Sequence, residues 1–270
     1  MLSSIGLASR PAFQAWSVTC HDNHTGWSQP EVRTDHRLVL VRRGRFRRQA
    51  SGVTEALDPT VAYLGVPGEE ELFAHPSGGD ECTSTTVTPE LWQALAGDSP
   101  VARPSVYVDA RLDLAHRRFV AAARDGDVDY AMTEHLLALL ATALAQVAVG
   151  PIPATDRPAD RAVVAAAREA VAADHPASAG LLSLADLLGV SPYRLSRAFT
   201  RELGVSLTRY RNRIRVGRAV DRIADGETSL GALAADLGFA DQAHLTRTVR
   251  GQLGCTPSGL RTLLTHSPSR

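Results

Sequence analysis

Cysteine and histidine side chains in the first third of the chain are the residues best suited to metal or redox chemistry. They are Cys20, His21, His24, His36, His75 and Cys82. Thiolate and imidazole groups bind zinc and similar ions, and the two cysteines could instead respond to oxidants as a thiol pair. Their spacing matches no compact metal motif, so we assign no metal and no cofactor. The candidates, should a metal be held here, are Cys20, His24, His75 and Cys82.

Arginine supplies every fixed positive side-chain charge, because the 29 basic residues include no lysine. Residues 160–270 contain 15 arginines against 10 acidic residues, and residues 1–159 contain 14 against 19. The net charge of zero therefore divides into +5 and −5. This asymmetry predicts that only the carboxy-terminal part contacts a polyanion.

The carboxy-terminal part contains an internal repeat. Residues 184–190 match residues 233–239, and residues 195–198 align with residues 245–248 after one extra residue in the second turn. Each copy has the pattern of a helix, a tight turn with glycine and a second helix. That pattern predicts two helix-turn-helix units.

The apolar positions of each second helix lie on one face and leave a polar face exposed. The side chains of this exposed face are Tyr193, Arg194, Ser196, Arg197, Thr200 and Arg201 in the first copy, and Gln242, Ala243, Thr246, Arg247 and Arg250 in the second. Arginine can pair with guanine, glutamine with adenine, and a methyl group with thymine. A single helix predicted over residues 206–225 would span about 30 Å, close to the roughly 34 Å repeat of the DNA major groove. We therefore expect these residues to bind double-stranded DNA.

The same segments resemble the AraC/XylS family of bacterial regulators. The resemblance covers about residues 161–264 and is carried by residues 191–199, 204–206, 234–247 and 254–257. It implies that residues 192–203 and 241–253 are the base-reading helices. The sequence departs from the family at Val249, where phenylalanine is usual, and at residues 259–261, which replace an aromatic-arginine ending.

The amino-terminal part is predicted to be β-structure followed by helices. Residues 36–75 and 83–88 read as short strands between closely spaced turns, and the resemblance implies a cupin-like sensing barrel that takes an unknown small-molecule effector, most simply in an apolar pocket. The arginine-rich run at residues 42–48 is expected to form a solvated outer face.

Three helices are predicted between this barrel and the repeat. Thr88 caps one that opens near Leu91, and two longer ones cover residues 111–124 and 128–149. The last bears an apolar stripe that either packing on the barrel or a dimer seam explains, and we favour the dimer seam. The stripe comprises Leu136, Leu140, Leu144 and Val147.

These observations predict an α+β chain. The predicted parts are a sensing domain at 1–110, a helical segment for dimerisation or packing at 111–150, a Pro-rich linker at 151–159 and a DNA-binding domain at 160–270 with helix-turn-helix units at 183–204 and 229–254. The expected function is a cytoplasmic, homodimeric, effector-controlled transcription regulator rather than an enzyme. RNA polymerase is a further expected partner. The alternative is a cupin-type metal-binding enzyme or a metal or redox sensor joined to a DNA-binding module.

Composition and hydropathy limit the class of protein to which the chain can belong. The apolar fraction of 44% and charged fraction of 21% are typical of soluble globular proteins. Three cysteines do not suffice for a disulfide framework, the first residues lack the pattern of a signal peptide, and the longest apolar stretch is too short to span a bilayer. We therefore expect no membrane partner. The operator, the effector and the choice between activator and repressor stay open.

Overall fold

A computed structural model describes residues 2–97, 105–126, 128–148 and 158–265. The chain forms two compact units, Met1–Ile152 and Pro153–Arg270. The boundary falls inside the predicted linker, whose residues 151–157 lie outside the described residues.

The described part of the first unit contains two antiparallel sheets. The six-stranded sheet has the order β1-β2-β9-β4-β7-β10 and the four-stranded sheet the order β3-β8-β5-β6. The strands are β1 (Leu2–Arg10), β2 (Phe13–Cys20), β3 (Glu31–Val32), β4 (His36–Arg43), β5 (Phe46–Ala50), β6 (Val53–Leu57), β7 (Val61–Gly65), β8 (Glu70–Ala74), β9 (Asp80–Val87) and β10 (Ser105–Tyr107).

Strand β4 is apolar on both faces because the sheet is covered on both faces. Side chains alternate along a strand, so Leu38 and Leu40 lie on one face and Val39 and Val41 on the other, and all four are buried. Leu38 and Leu40 belong to a core shared with the helices of this unit. This arrangement confirms the expected α+β fold, with antiparallel sheets and helices in the first unit.

The helices of the first unit are α1 (Pro89–Ala96), α2 (Ala110–Asp125) and α3 (Thr133–Ala148), the last preceded by a π-helical turn at Val128–Met132. As predicted, Thr88 caps α1, with its hydroxyl accepting a hydrogen bond from the Leu91 amide.

The apolar stripe of α3 faces the core of its own unit. Leu136 and Leu140 are at most 1% exposed, Leu144 and Val147 at most 5%, and all four pack with the six-stranded sheet. The predicted dimer seam is therefore wrong, since these side chains are already buried in one chain. The packing alternative is confirmed.

Strands β1, β2, β3 and β10 were not predicted, and β1 is the clearest case. Most residues of β1 are exposed, including Leu2 and Ile5, and the strand pairs only with β2 at one edge of the sheet. An edge strand without a buried face needs no apolar alternation, so its sequence carries no strand pattern.

The arginine-rich run is not uniformly solvated. Arg43 is exposed, but Arg48 is only 1% exposed and its guanidinium contacts Glu71, Glu69 and Glu55. Arg48 also lies over the Tyr63 ring, 4.4 Å from its centroid. The prediction of an outward-facing run is wrong for Arg48, because strand alternation turns it inward toward these buried carboxylates.

The second unit is helical throughout its described residues. Its helices are α4 (Pro158–Ala172), α5 (Leu181–Leu187), α6 (Pro192–Leu203), α7 (Leu207–Ala224), α8 (Leu230–Asp236), α9 (Gln242–Leu253) and α10 (Pro257–Thr265), with a 3₁₀ turn at Pro176–Ala179. The pairs α5–α6 and α8–α9 are the two predicted helix-turn-helix units, and α7 packs against both α6 and α9. None of the described helices combines the length and the apolarity that crossing a membrane requires.

Candidate nucleic-acid interface

The second helix of each unit has its ends set by local sequence. The Ser191 hydroxyl accepts a hydrogen bond from the Arg194 amide at the start of α6, and the Asp241 carboxylate accepts one from the His244 amide at the start of α9. Glycine in a left-handed conformation follows each helix, with φ of 72° at Gly204 and 79° at Gly254. Helix α6 therefore has the bounds that the resemblance implied, and α9 begins one residue later, after its cap at Asp241.

The turns between the two helices of each helix-turn-helix unit also have the same backbone conformation in both copies. Gly189 has a φ of 63° and Gly238 a φ of 69°. Side chains with a Cβ rarely adopt this region, which explains glycine at both positions. A Cβ at Gly238 would also lie 3.0 Å from a guanidinium nitrogen of Arg215.

One face of each second helix packs into the domain. Leu195 and Phe199 of α6 are fully buried, as are their counterparts Leu245 and Val249 of α9. The departure from the family at Val249 therefore keeps a buried apolar position. With these side chains inward, the opposite faces of α6 and α9 are left to solvent.

The predicted DNA-binding residues lie on those outer faces. The exposed ones are Tyr193, Arg194, Ser196, Arg197, Thr200, Gln242, Ala243, Arg247 and Arg250. Two others, Arg201 and Thr246, are half-buried. The faces are thus accessible in the described second unit, but their arginines differ in what they contact.

Arg194 and Arg201 form ion pairs with Asp160 of α4. One oxygen of Asp160 accepts a 3.0 Å hydrogen bond from Arg194, and the other accepts one from Arg201. Burial of Asp160 raises the pKa of its carboxyl, but the hydrogen bonds and charges of the two arginines outweigh burial and lower it. These two arginines hold α6 against α4, a contact that the sequence did not predict.

Arg197 is positioned differently. Its guanidinium lies 5.4 Å from the centroid of the Tyr193 ring and donates a 2.6 Å hydrogen bond to the tyrosine hydroxyl. Arg247, fifty positions later in the repeat, is also exposed. Among residues that the structure describes, no acidic side chain pairs with either guanidinium. Both charges are therefore available to a polyanion.

Several arginines of α7 brace the second unit. Arg218 pairs with Asp174 at 2.6 Å, and Arg222 bonds to Glu227 and Asp236. Arg213 is 4% exposed. The remaining three are Arg209, which is exposed, and Arg211 and Arg215, which are half-buried. Arg218 and Arg222 therefore tie α7 to neighbouring segments of the second unit through ion pairs.

The cysteine and histidine candidates of the first unit are partly brought together. Ligand atoms of Cys20, His75 and Asp80 lie within 4.8 Å of one another. Cys82 approaches this group through a 3.0 Å contact between its sulfur and Asp80 Oδ2. Asp80 was missed by sequence reasoning, although its position two residues before Cys82 in a strand places both side chains on one face.

The other two histidines of that constellation, His21 and His36, and the candidate His24 are not part of the group. His36 stacks on Trp92 with ring centroids 4.2 Å apart. His24 packs its ring edge against His75 at 5.1 Å, and its Nδ1 bonds to the Gly26 carbonyl. Burial raises the pKa of both the Cys20 and Cys82 thiols, and the charge of Asp80 adds to the effect. Both are therefore poor nucleophiles.

Comparison with known proteins identifies the second unit. A family described as a helix-turn-helix domain matches residues 184–262. The arabinose operon regulatory protein of Escherichia coli is 29% identical over 90 residues, which are 33% of this chain and 31% of that protein. This chain therefore aligns with about a third of the length of that curated relative.

Solved structures that the comparison matches include ToxT of Vibrio cholerae with a bound unsaturated fatty acid. It is 12% identical and covers 97% of this chain and 99% of its own, with a TM-score of 0.38. The carboxy-terminal domain of AraT, a response regulator from Geobacillus stearothermophilus, is 24% identical and covers 40% of this chain and 91% of its own, with a TM-score of 0.36.

Two repeated helix-turn-helix units, each with a capped and exposed second helix, define the second unit as a double helix-turn-helix domain. Residues 184–262 form such a domain of the AraC/XylS type.

Proposed function

We propose that this protein is a sequence-specific DNA-binding transcription regulator that inserts α6 and α9 into two successive major-groove segments. The observation that supports this most directly is the pair of exposed guanidinium groups of Arg197 and Arg247, at equivalent positions of the two helices. A duplex supplies the phosphate and guanine acceptors that match them.

The proposed spacing rests on α7. Its 18 residues give a rod of about 27 Å, and it packs against both second helices. That length is close to the roughly 34 Å groove repeat. We assign base contacts to Arg197 and Arg247 and to the side chains beside them, namely the polar Ser196, Thr200, Gln242 and Thr246 and the methyl group of Ala243. Tyr193 and Arg250 complete the proposed surface, and Arg194 and Arg201 act mainly by holding α6 on α4.

In this proposal the first unit binds a small-molecule effector. The effector has different affinities for two conformational states of the protein, and its binding therefore changes how the protein binds DNA. The regulator acts where the chromosome lies, in the cytoplasm. Promoter control would also involve RNA polymerase. A homodimer remains part of the proposal, but it must use a surface other than the buried stripe of α3.

Selection of binding sites from random duplex DNA with the full chain tests the proposal. Affinity is then measured on the selected site and on single-base variants, for the protein and for Arg197→Ala and Arg247→Ala. Each substitution should cost about 1–3 kcal/mol and relax specificity at one base position. Arg43→Ala removes one exposed arginine of the first unit and serves as the charge-matched control.

Two outcomes would overturn the proposal. The first is that the selection enriches no sequence. The second is that both variants bind the selected site as tightly as Arg43→Ala does. An equal loss on every sequence would reassign the two arginines to phosphate and so reject their proposed role in reading bases.

A further inference from the structure

The group around Asp80 has the composition and geometry of a metal site. Cys20 ends β2, Asp80 begins β9, and the two residues are direct cross-strand partners. His75 follows β8, and its imidazole Nδ1 lies 2.7 Å from Asp80 Oδ1. One sulfur, one nitrogen and one oxygen ligand thus converge within 4.8 Å at the ends of three strands.

Asp80 is a buried carboxylate without a cationic arginine partner. Its side chain is 4% exposed, and among the described residues no arginine forms an ion pair with it. Burying a carboxylate is costly unless a cation or hydrogen bonds compensate. The Cys82 thiol supplies one hydrogen bond, to Oδ2, which leaves Oδ1 directed at His75.

The short approach of Asp80 Oδ1 to His75 Nδ1 is not an aligned hydrogen bond. Both atoms are buried and neither has a hydrogen-bond partner. In the neutral tautomer that carries its hydrogen on Nε2, both atoms are electron-pair donors. A cation bound by both would stabilise the pair, and metal–ligand bonds of about 2.0–2.2 Å would require the two atoms to move slightly apart.

The surroundings fix this geometry. A Cβ at Gly79 would collide with the Cys20 carbonyl oxygen, and a Cβ at Gly44 would collide with the backbone of Gly79 and Asp80. The His75 amide donates a 2.9 Å hydrogen bond to the His24 carbonyl. The ring of His75 also packs between those of His24 and Phe46. Such outer contacts orient ligands before a metal arrives.

We propose that Cys20, His75 and Asp80 bind one divalent transition-metal ion of the zinc class. A mixed sulfur, nitrogen and oxygen set suits zinc or cobalt and disfavours calcium and magnesium, which take oxygen ligands. Cys82 orients the carboxylate through Oδ2, and His24 supports His75 from outside the ligand set. The site lies wholly in the first unit and does not depend on the proposed DNA binding.

Titration of the reduced, metal-free full chain with Co²⁺ tests the site. Thiolate coordination gives a near-ultraviolet charge-transfer band, and a tetrahedral site gives visible d–d bands. We expect one equivalent of Co²⁺ to produce both bands and one equivalent of Zn²⁺ to remove them. Cys20→Ser should abolish the charge-transfer band, and Asp80→Asn should weaken Co²⁺ binding at least tenfold.

The matched control is Cys255→Ser, which removes the thiol of the second unit and leaves the proposed site untouched. It should bind Co²⁺ as the unaltered chain does. The proposal is overturned by an absence of bands in the unaltered chain, or by bands that survive Cys20→Ser but disappear in Cys82→Ser. Circular dichroism verifies the fold of each variant. If Cys20→Ser does not fold, the Co²⁺ titration of Asp80→Asn and His75→Gln tests the site instead.

Discussion

Arg197 lies over the ring of Tyr193, one helical turn earlier on α6, and donates a 2.6 Å hydrogen bond to its hydroxyl. The contact places an exposed guanidinium in a defined orientation before any partner binds. Ordering a long side chain on binding costs about 0.5–1.5 kcal/mol, so a preordered arginine should bind a duplex more tightly than a free one.

Tyr193→Phe should therefore weaken binding to the selected DNA site by about two- to twelvefold, the equivalent of that ordering cost. Fluorescence anisotropy with the full chain measures the change. In an Arg197→Ala background the same substitution should have little effect, because the tyrosine then has no guanidinium to hold. An equal effect in both backgrounds would mean that the hydroxyl contacts DNA itself.

Asp160→Asn should destabilise the second unit by about 1–3 kcal/mol, because it leaves Arg194 and Arg201 without their charged partner. This loss of stability is smaller than that expected for a fully buried ion pair, because the Arg194 side chain is 48% exposed and screened by solvent. Urea unfolding measures the loss. Asp186→Asn, at an exposed position of α5, is the control, and an equal change in both variants would contradict the structural role of Asp160.

Leu140→Glu should lower the free energy of unfolding of the first unit by about 3–5 kcal/mol, because it buries a charge in the core. Leu137→Glu, on the more exposed side of α3, should cost far less. Thermal melting compares the two. A folded, equally stable Leu140→Glu variant with a halved molar mass would restore the dimer seam that the structure rejects.

His116 should make stability depend on pH. Burial lowers the pKa of this imidazole from 6.5 to about 4, Asp113 opposes the shift, and Arg42 and Arg117 add to it. The unfolded chain therefore takes up a proton at higher pH than the folded chain does. Stability should be unaffected above about pH 6.5 and fall by about 3 kcal/mol as the pH drops to 4.

Urea unfolding between pH 4 and 7 measures this dependence, and His116→Leu should remove most of it because no imidazole remains to be protonated. His21→Leu alters an exposed histidine and should keep the pH dependence of the unaltered chain. If His116→Leu keeps it as well, other groups cause the loss of stability.

The sequence by itself determined the helix-turn-helix units almost to the residue. Their bounds depend on interactions within one helical turn, such as the caps at Ser191 and Asp241 and the left-handed glycines in the turns. The apolar periodicity of α6 and α9 likewise predicted which side chains are buried, and so which face is open to solvent.

Only the tertiary structure decided which distant residues meet. Asp160 pairs with Arg194 across 34 positions, Cys20 faces Asp80 across two strands, and Arg48 turns inward to Glu71. An apolar stripe such as that of α3 predicts only that its side chains are buried. Whether they pack against the sheet of the same chain or against a second copy depends on the path of the chain. Caps and periodicity are local, whereas these contacts depend on how the whole unit folds back on itself.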